Sequence, residues 1–487
     1  MVEDRIESIA KGTWGKDVAN GEHTPFGEMD TMAVPELSAV TRSLHQSTLL
    51  FGRGLAAFAP LVAELPERHF LIQTVFGLIQ QSAALRTRLL EMRVTEESLG
   101  GPSDAAVAEA REIVRATPGE ALSFASSLLQ ELVAAYGEMV RSCSSEALYH
   151  DRKLYSACRE LCQEALDVAE RHGLTLPPRE IRRDALYVSS ESSQQTPTGT
   201  VELDALDCPH RSYPKWAKFQ FSRDGSAAAR TPEDGEVRDS AADQTPAIER
   251  LRDGRTAEPI SSNVSLRNIA NFDALEKSSV VALLQIGFQI EFISTDVPLR
   301  NIASFADMPM DFYLDMVRHA HDEMRHTHLL VEEMSRLGVD AQETLMKRPD
   351  TYDAIADRPL DYRLIILSRT GEDAAIETFS DVIPKLRRAG FVEAAAMFDH
   401  VLADELRHVA YANKWLTYLC DGDDAEVERL TTERIQLFNQ VAEDLGLGEK
   451  ALRAPDHIAA RASAADMELR ALAGFSRRDL AKMAAKR

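Results

Sequence analysis

The chain has few cysteines, and the spacing of those it has suggests no cysteine chemistry. Five cysteines occur in 487 residues, and no two are arranged as Cys-x-x-Cys. This pattern gives no support for a zinc knuckle or a thioredoxin-type redox pair, and it favours a reducing, cytoplasmic location. Cys158 and Cys162 lie one helical turn apart, and we interpret them as small buried hydrophobic residues.

Basic residues are also in deficit. The 78 acidic side chains outnumber the 55 lysines and arginines, which gives a formal net charge of −23. Nucleic-acid backbones and anionic lipids both attract basic surfaces, so we expect no nucleic-acid partner and no membrane docking. No run of about 18 apolar residues occurs, and residues 1–17 lack the apolar core of a secretory signal.

Helical periodicity dominates the sequence, and composition divides it into four segments. Residues 1–183 are predicted to form an N-terminal helical bundle, with helices over 35–59, 69–92, 105–116, 120–140 and 152–172. Residues 184–264 are rich in Ser, Thr, Asp, Gly and Pro, which indicates a polar, partly irregular linker. Its aromatic stretch, residues 210–221, is interpreted as a local anchor. Residues 265–450 are predicted to form a four-helix domain, and residues 451–487 a helical tail.

The predicted fold class is therefore all-α, with a C-terminal four-helix bundle added to the N-terminal one. The four helices are expected over residues 272–302, 310–337, 360–383 and 391–419. Gly338 stands at the position where a helix commonly ends in a left-handed residue. Pro384 is predicted to end or kink the third helix, because proline lacks an N–H and clashes with the preceding turn.

Two similar pentapeptides carry the strongest chemical signal. Residues 322–326 read Asp-Glu-Met-Arg-His and residues 404–408 read Asp-Glu-Leu-Arg-His, on the second and fourth predicted helices. In each, a glutamate and a histidine three residues later share one helical face, where both can bind the same metal ion. Two such motifs, together with one inward glutamate from each remaining helix, make a site for two metal ions. The candidate ligands in the motifs are Glu323, His326, Glu405 and His408.

Candidates for the other two glutamates come from the first and third helices. Glu291 lies in the otherwise apolar stretch VVALLQIGFQIEFI, and an isolated buried carboxylate must be paired, protonated or metal-bound. On the third helix we favour Glu372, because its separation from Glu405 nearly repeats that between Glu291 and Glu323. Glu377 remains the alternative, and it gains if the helix continues through Pro384.

Other side chains near the motifs are candidates for supporting roles. Asp322 and Asp404 are placed to accept a hydrogen bond from a ligating imidazole, which fixes its tautomer. The motif arginines, Arg325 and Arg407, suit either that outer layer or a surface ion pair. His319 precedes Glu323 by one turn and has two interpretations, an additional ligand or an ordinary packed residue. Tyr411 is a further candidate for the surroundings of the site.

These residues resemble the ferritin-like superfamily of di-iron carboxylate proteins. More narrowly, the stretch from Asp404 to Trp415 is similar to an uncharacterised bacterial ferritin-like family with D-E-x-x-H-V followed by N-x-W on its last bundle helix. The resemblance implies two iron ions, with manganese or a mixed manganese–iron pair as alternatives. It also implies the ligand set Glu291, Glu323, His326, Glu372, Glu405 and His408.

The function implied is activation of O2 or peroxide, and three hypotheses follow. The first is an oxygenase or oxidase that hydroxylates, desaturates or N-oxygenates a small organic substrate and takes electrons from a donor. The second is a ferroxidase or peroxidase that acts on iron or peroxide itself. The third is a non-catalytic scaffold with a structural metal site. The N-terminal bundle could cap the site, form a homodimer interface or bind a partner.

Overall fold

The structure is a computed structural model, and it describes residues 34–62, 64–181, 186, 216–218, 276–341, 345–347, 355, 358–444 and 464–485. Helices make up nearly all of the described regular structure, so the predicted all-α fold class is confirmed. The chain divides into two compact units. The first unit combines the N-terminal helices with Leu299–His321, a segment that was predicted to belong to the C-terminal domain. The second includes residues 276–298 and the described residues from Asp322 onward.

Five helices of the first unit follow the predicted periodicity to within four residues at each end. They are α1 (Val34–Phe58), α2 (Leu65–Glu91), α3 (Asp104–Arg115), α4 (Pro118–Ser142) and α5 (Tyr149–Arg171). Local chemistry determines where two of them begin. Ser103 accepts a hydrogen bond from the Ala106 N–H at the start of α3, and Thr117 and Glu120 form a capping box at α4. Helix α1 packs on α2 and α3, while α5 packs on α2 and α4.

Polar and ring contacts hold the later segment, Leu299–His321, within the first unit. The guanidinium of Arg53, which is 5% exposed, donates to the carbonyl oxygens of Ile302 (3.2 Å) and Ala303 (3.0 Å). The ring of His321 stacks on that of Phe76, with 4.4 Å between the centroids. These contacts satisfy a buried cation and explain why the segment groups with helices distant in sequence.

His45 in α1 makes the stability of the first unit depend on pH. Its Nδ1 lies 3.0 Å from the Ser82 carbonyl oxygen, and burial, aided by the Arg86 charge, lowers the pKa of His45 to about 4. An unfolded chain takes up this proton near pH 6.5, so acidification between about pH 6.5 and pH 4 favours unfolding. We expect native protein to lose about 2 kcal/mol more unfolding free energy than His45→Gln between pH 7.5 and pH 5, by urea titration.

The exposed His150 of α5 provides the matched control for this prediction. His150→Gln should follow the native pH dependence, because the folded chain leaves this side chain exposed to solvent. Equal pH dependence in the native and His45→Gln proteins would contradict the prediction.

The second unit is built around four helical segments and a C-terminal helical pair. Its first helix is α6 (Lys277–Ser294); α7 (Asp296–Ser304) and α8 (Met310–Arg336) each contribute residues to both units. The third helix is continuous and consists of α9 (Leu360–Arg363), a π-helical segment (Leu364–Glu372, here the π segment) and α10 (Asp373–Arg388). The remaining helices are α11 (Val392–Leu419), α12 (Asp424–Asp444), α13 (Ala464–Leu472) and α14 (Arg477–Ala485).

The second and fourth predicted helices are confirmed to within one residue, as α8 and α11. Gly338 has the predicted left-handed conformation after α8, with φ +77°. The N–H of Gly338 donates to the Ser335 carbonyl oxygen, and that of Val339 donates to the Met334 carbonyl oxygen, both at 2.9 Å. This bonding closes the helix end, and a residue without a side chain adopts it at little cost.

Two helix predictions are wrong in detail. Thr295 interrupts the predicted helix over 272–302 and separates α6 from α7; residues 272–275 lie outside the described part of the chain. Of the two expectations for Pro384, that it ends the third helix is wrong, because α10 runs through it to Arg388. The proline removes one backbone hydrogen bond, and the burial of Ile383 and Leu386 on either side stabilises the helix against that loss.

The second unit also contains a strand pair that the periodicity did not predict. Strand β1 (Trp216–Lys218) pairs antiparallel with β2 (Leu345–Lys347), with Ala217 opposite Met346. Strand β1 falls in the segment predicted to be a linker. Apart from β1 and Leu186, residues 184–264 lie outside the described part, so the linker prediction is not addressed further.

One described stretch, Lys277–Ser304, is long and apolar enough to cross a membrane. Within it, 89% of the apolar window is buried inside the protein, as expected for a core helix. Cys143, Cys158, Cys162 and Cys420 are buried and form no disulfide. Burial raises the pKa of the Cys162 thiol to about 12, so this side chain behaves as the predicted small hydrophobe.

Candidate metal centre

Four helical segments of the second unit bring carboxylates and imidazoles together in one buried place. The side chains are Glu291 from α6, Glu323 and His326 from α8, Glu372 from the π segment, and Glu405 and His408 from α11. None of these residues is more than 7% exposed. All six candidate ligands chosen from the sequence therefore lie in the same buried cluster.

The first half of the cluster surrounds His326. Its Nδ1 lies 3.2 Å from Glu291 Oε2, 3.8 Å from Glu323 Oε2 and 3.7 Å from Glu405 Oε1. One ligand atom from each of these four residues can be chosen so that all lie within 4.8 Å of one another. One imidazole nitrogen thus faces three carboxylates, which is a suitable donor set for a divalent cation.

The second half of the cluster surrounds His408. Its Nδ1 lies 3.1 Å from Glu323 Oε1 and 3.8 Å from Glu405 Oε2. Ligand atoms of Glu323, Glu372 and His408 also lie within 4.8 Å of one another. The two histidine ring centroids are 5.9 Å apart. Glu323 and Glu405 therefore each contact both histidines, with one carboxylate oxygen directed to each half.

The π segment determines which glutamate of the third helix reaches the cluster. Glu372 ends this segment and is 7% exposed, whereas Glu377 is half-buried and belongs to neither group of ligand atoms. Continuation of the helix through Pro384 was expected to favour Glu377, and it does not. A π turn contains about one residue more than an α turn, so it changes which side chains face the core.

Two aspartates form an outer layer that crosses between the motifs. Asp404 Oδ2 lies 3.1 Å from His326 Nε2, and Asp322 Oδ2 lies 3.7 Å from His408 Nε2. Each aspartate thus approaches the histidine of the opposite helix, on the side away from the glutamates. An aspartate in this position orients the imidazole and directs the other nitrogen, Nδ1, to the cluster.

The motif arginines lie outside the aspartates. Arg325 donates from Nη2 to Asp404, and Arg407 Nη1 lies 3.8 Å from both Asp322 and Asp404. Arg407 is exposed and Arg325 is half-buried, so both the outer-layer and the surface-ion-pair interpretations describe part of their environment. Their positive charges balance the two aspartates.

His319 and Tyr411 are the remaining candidates from the sequence. His319 is buried one turn before Glu323, and ligand atoms of these two side chains on α8 lie within 4.8 Å of each other. The half-buried Tyr411 has its ring centroid 6.5 Å from that of His408. Two further buried residues close to Glu372 were not predicted from the sequence. They are Arg369 in the π segment and Asp373.

The carboxylates dominate the proton affinity of the cluster. Burial opposes a charge on each imidazole, but the surrounding carboxylates outweigh it and raise the pKa of His326 to about 9 and of His408 to about 10. Burial and neighbouring carboxylates also raise the pKa of Glu405. Burial acts in the same direction on Glu291, but hydrogen bonds with His326 and Glu323 lower its pKa overall. Protons thus partly neutralise the negative charge when no cation does so.

The donor set fits two divalent cations of the iron and manganese type. Four glutamates would balance the charge of two divalent ions, and oxygen with imidazole nitrogen is the ligand chemistry that these metals accept. Thiols, which would favour zinc, are absent from the two groups of ligand atoms that make up this cluster. Burying four carboxylates without cations is costly, and the charge of the two protonated imidazoles offsets only part of that cost.

Comparison with known proteins gives a family but no activity. A family model described as "Protein of unknown function" matches residues 217–473, more than half of the chain, and the match includes all six candidate ligands. The searches of curated proteins and of solved structures found no match.

Proposed function

The chain belongs to the DUF455 family, and from that premise we propose that it is an O2-dependent, non-haem di-iron oxidoreductase acting on a small organic substrate. The observation that supports the proposal is that four glutamates and two histidines from four helical segments lie in one buried cluster. Such a ligand set is typical of ferritin-like di-iron and di-manganese carboxylate proteins. The proposed reaction is the hydroxylation, desaturation or N-oxygenation of that substrate.

In this proposal the side chains divide into ligands and supports. Glu323 and Glu405 would be shared by the two ions, because each carboxylate lies within 3.8 Å of a nitrogen of both histidines. Glu291 would complete the half that contains His326, and Glu372 the half that contains His408. Asp404 and Asp322 would hold the imidazoles in the tautomer that leaves Nδ1 available to metal.

The surroundings would protect the oxidising chemistry from water. Two reduced irons, when bound, would supply electrons to O2, and an electron donor would have to return the irons to the reduced state after each turnover. The ligand residues are at most 7% exposed, so the protein provides an interior in which water competes poorly with substrate. The buried, free cysteines are compatible with a reducing, cytoplasmic location, which we include in the proposal.

Metal analysis followed by exposure to O2 tests the proposed function. Protein from iron-rich medium should contain two irons per chain, and the anaerobically reduced protein should change its visible absorbance when O2 is admitted. Iron turnover far above two per chain would instead favour the ferroxidase. Iron-loaded protein that shows no change with O2 would contradict the oxidoreductase and favour the scaffold.

A further inference from the structure

Residues 464–485 at the C-terminal end of the described chain contact the third helix at the π segment. This pair of short helices, α13 and α14, is here called the clamp. Its apolar side chains Ala473, Phe475 and Met483 share one buried cluster with Ile376 of α10 and Val409 of α11. Ile376 lies one turn after Glu372, and Val409 follows His408. The clamp therefore packs directly behind two of the candidate ligands.

A buried ion pair connects the clamp to the residue next to Glu372. Arg470 is fully buried and Asp373 is 2% exposed. The guanidinium donates in a fork, from Nε to Asp373 Oδ1 at 2.7 Å and from Nη2 to Oδ2 at 3.1 Å. Two parallel hydrogen bonds to one carboxylate restrict both its position and its orientation. The backbone at residue 373, and with it that of Glu372, is thereby fixed to the clamp.

A second polar network links the clamp to the middle of the π segment. Arg369 Nη2 lies 3.0 Å from Asp479 Oδ2, its guanidinium carbon lies 4.7 Å from the Phe475 ring centroid, and it also donates to Asn413. Asn413 in turn donates from Nδ2 to the Ala473 carbonyl oxygen at 2.7 Å. Arg369 is only 5% exposed, so these partners are what satisfies its buried charge.

The π segment needs such support. Widened turns are rare because they are less favourable than α-helical turns, and they occur mostly where function requires a side chain in an unusual place. Here the segment ends at Glu372, the ligand candidate whose position depends on it. Removing one partner of a buried ion pair strongly destabilises the fold, because the other charge stays buried without compensation. Each pair therefore couples the stability of the π segment to the presence of the clamp.

We propose that residues 464–485 act as a positioning clamp, in which Arg470 grips Asp373 and so holds Glu372 at the metal centre. The inference rests on the proposed function, because it gives Glu372 a metal to bind. It assigns Arg470, Arg369 and Asp373 to positioning, since none of them belongs to the groups of ligand atoms. It also predicts that this end of the chain is required for a complete site.

Hydrogen–deuterium exchange of the full-length, metal-free protein tests the clamp itself. In Arg470→Gln, peptides that cover residues 364–373 should exchange at least about tenfold faster than in the native protein, because local opening becomes easier. Arg470→Lys keeps the charge but loses the fork, so it should restore part of the protection. The exposed Arg477 provides the control Arg477→Gln, which should exchange like native protein. Peptides over residues 392–400 should be unchanged, which reports an intact fold.

Binding of Mn²⁺ to the same variants tests the link to Glu372. Arg470→Gln should weaken binding about 10- to 100-fold, the range typical of groups that support a ligand from behind. Glu372→Gln should produce a similar loss, and the double variant should lose little more, because both changes affect one interaction.

The outcomes separate the two ideas. Native exchange over residues 364–373 in Arg470→Gln would overturn the clamp. Faster exchange together with native Mn²⁺ binding would overturn the positioning of Glu372. Native protein that binds no metal would overturn the proposed function, while the exchange comparison would still decide whether the clamp exists.

Discussion

We expect protein with both Glu323→Gln and Glu405→Gln to be isolated without iron, whereas the native chain contains two ions. Each of these glutamates lies within 3.8 Å of a nitrogen of both histidines, so the double change affects both halves of the cluster. Glutamine keeps the volume of glutamate but removes the negative charge that a divalent cation requires. Elemental analysis of protein purified from iron-rich medium gives the iron content directly.

The matched control uses exposed glutamates on the same two helices. Glu332 on α8 and Glu393 on α11 are exposed, and a chain with both changed to glutamine should retain two irons. Both double variants carry the same change in net charge, which removes a general electrostatic effect from the comparison. The site variant should remain folded, because replacing buried carboxylates by neutral amides relieves repulsion in the metal-free state. Two irons in the site variant would rule out this metal centre.

The fold was predictable to the extent that each helix carries its own boundary signals. Pro118 and the capping box at Thr117 mark the start of α4, and Gly338 marks the end of α8. Such signals depend on neighbours a few residues away, which a sequence displays directly. Strand β1 could not be recognised in this way, because its pairing with β2 joins residues more than a hundred positions apart. Packing likewise decides that Leu299–His321 belongs to the first unit.

The candidate site was predictable where two ligands lie on one helical turn. The spacing of Glu323 to His326 and of Glu405 to His408 implies a common face whatever the rest of the fold does. Glu372 was the weaker choice, since its place depends on the π segment, and the helix does not end at Pro384 as one of the two expectations for this proline required. No local pattern distinguishes nine π-helical residues from an α-helix.

The clamp could not have been inferred from spacing. Arg470 and Asp373 are 97 residues apart, and neither stands in a recognisable motif. Asn413 was part of the N-x-W resemblance, but its contact with the Ala473 carbonyl oxygen gives it a physical role. Residues that support a ligand from behind are thus recognised only from their packing in the structure. The spacing of the motif ligands, by contrast, is visible in the sequence.

Metal affinity should increase steeply with pH, and this effect is expected to be as large as that of the glutamate variants. The carboxylates raise the pKa of His326 to about 9 and of His408 to about 10. Both rings are therefore positively charged at neutral pH when no metal is bound, with a proton on each nitrogen. A metal ion binds only the neutral imidazole and must displace that proton. Displacing two protons makes the combined affinity for two ions rise about 100-fold per pH unit below pH 9. Calorimetric titration with Mn²⁺ between about pH 6 and pH 8 measures this slope.

Proton release gives an independent measure of the same linkage. Near pH 7, loading the native protein with two Mn²⁺ ions should release about two protons per chain, which calorimetry in buffers of different ionisation enthalpy determines. His408→Gln removes one of the two protonated imidazoles, so it should release about one proton fewer, and its affinity should depend less steeply on pH. His150→Gln, which alters an exposed histidine of the first unit, should behave like native protein. Metal binding without proton release near pH 7 would mean that the imidazoles are already neutral, and that the surrounding carboxylates do not control their charge.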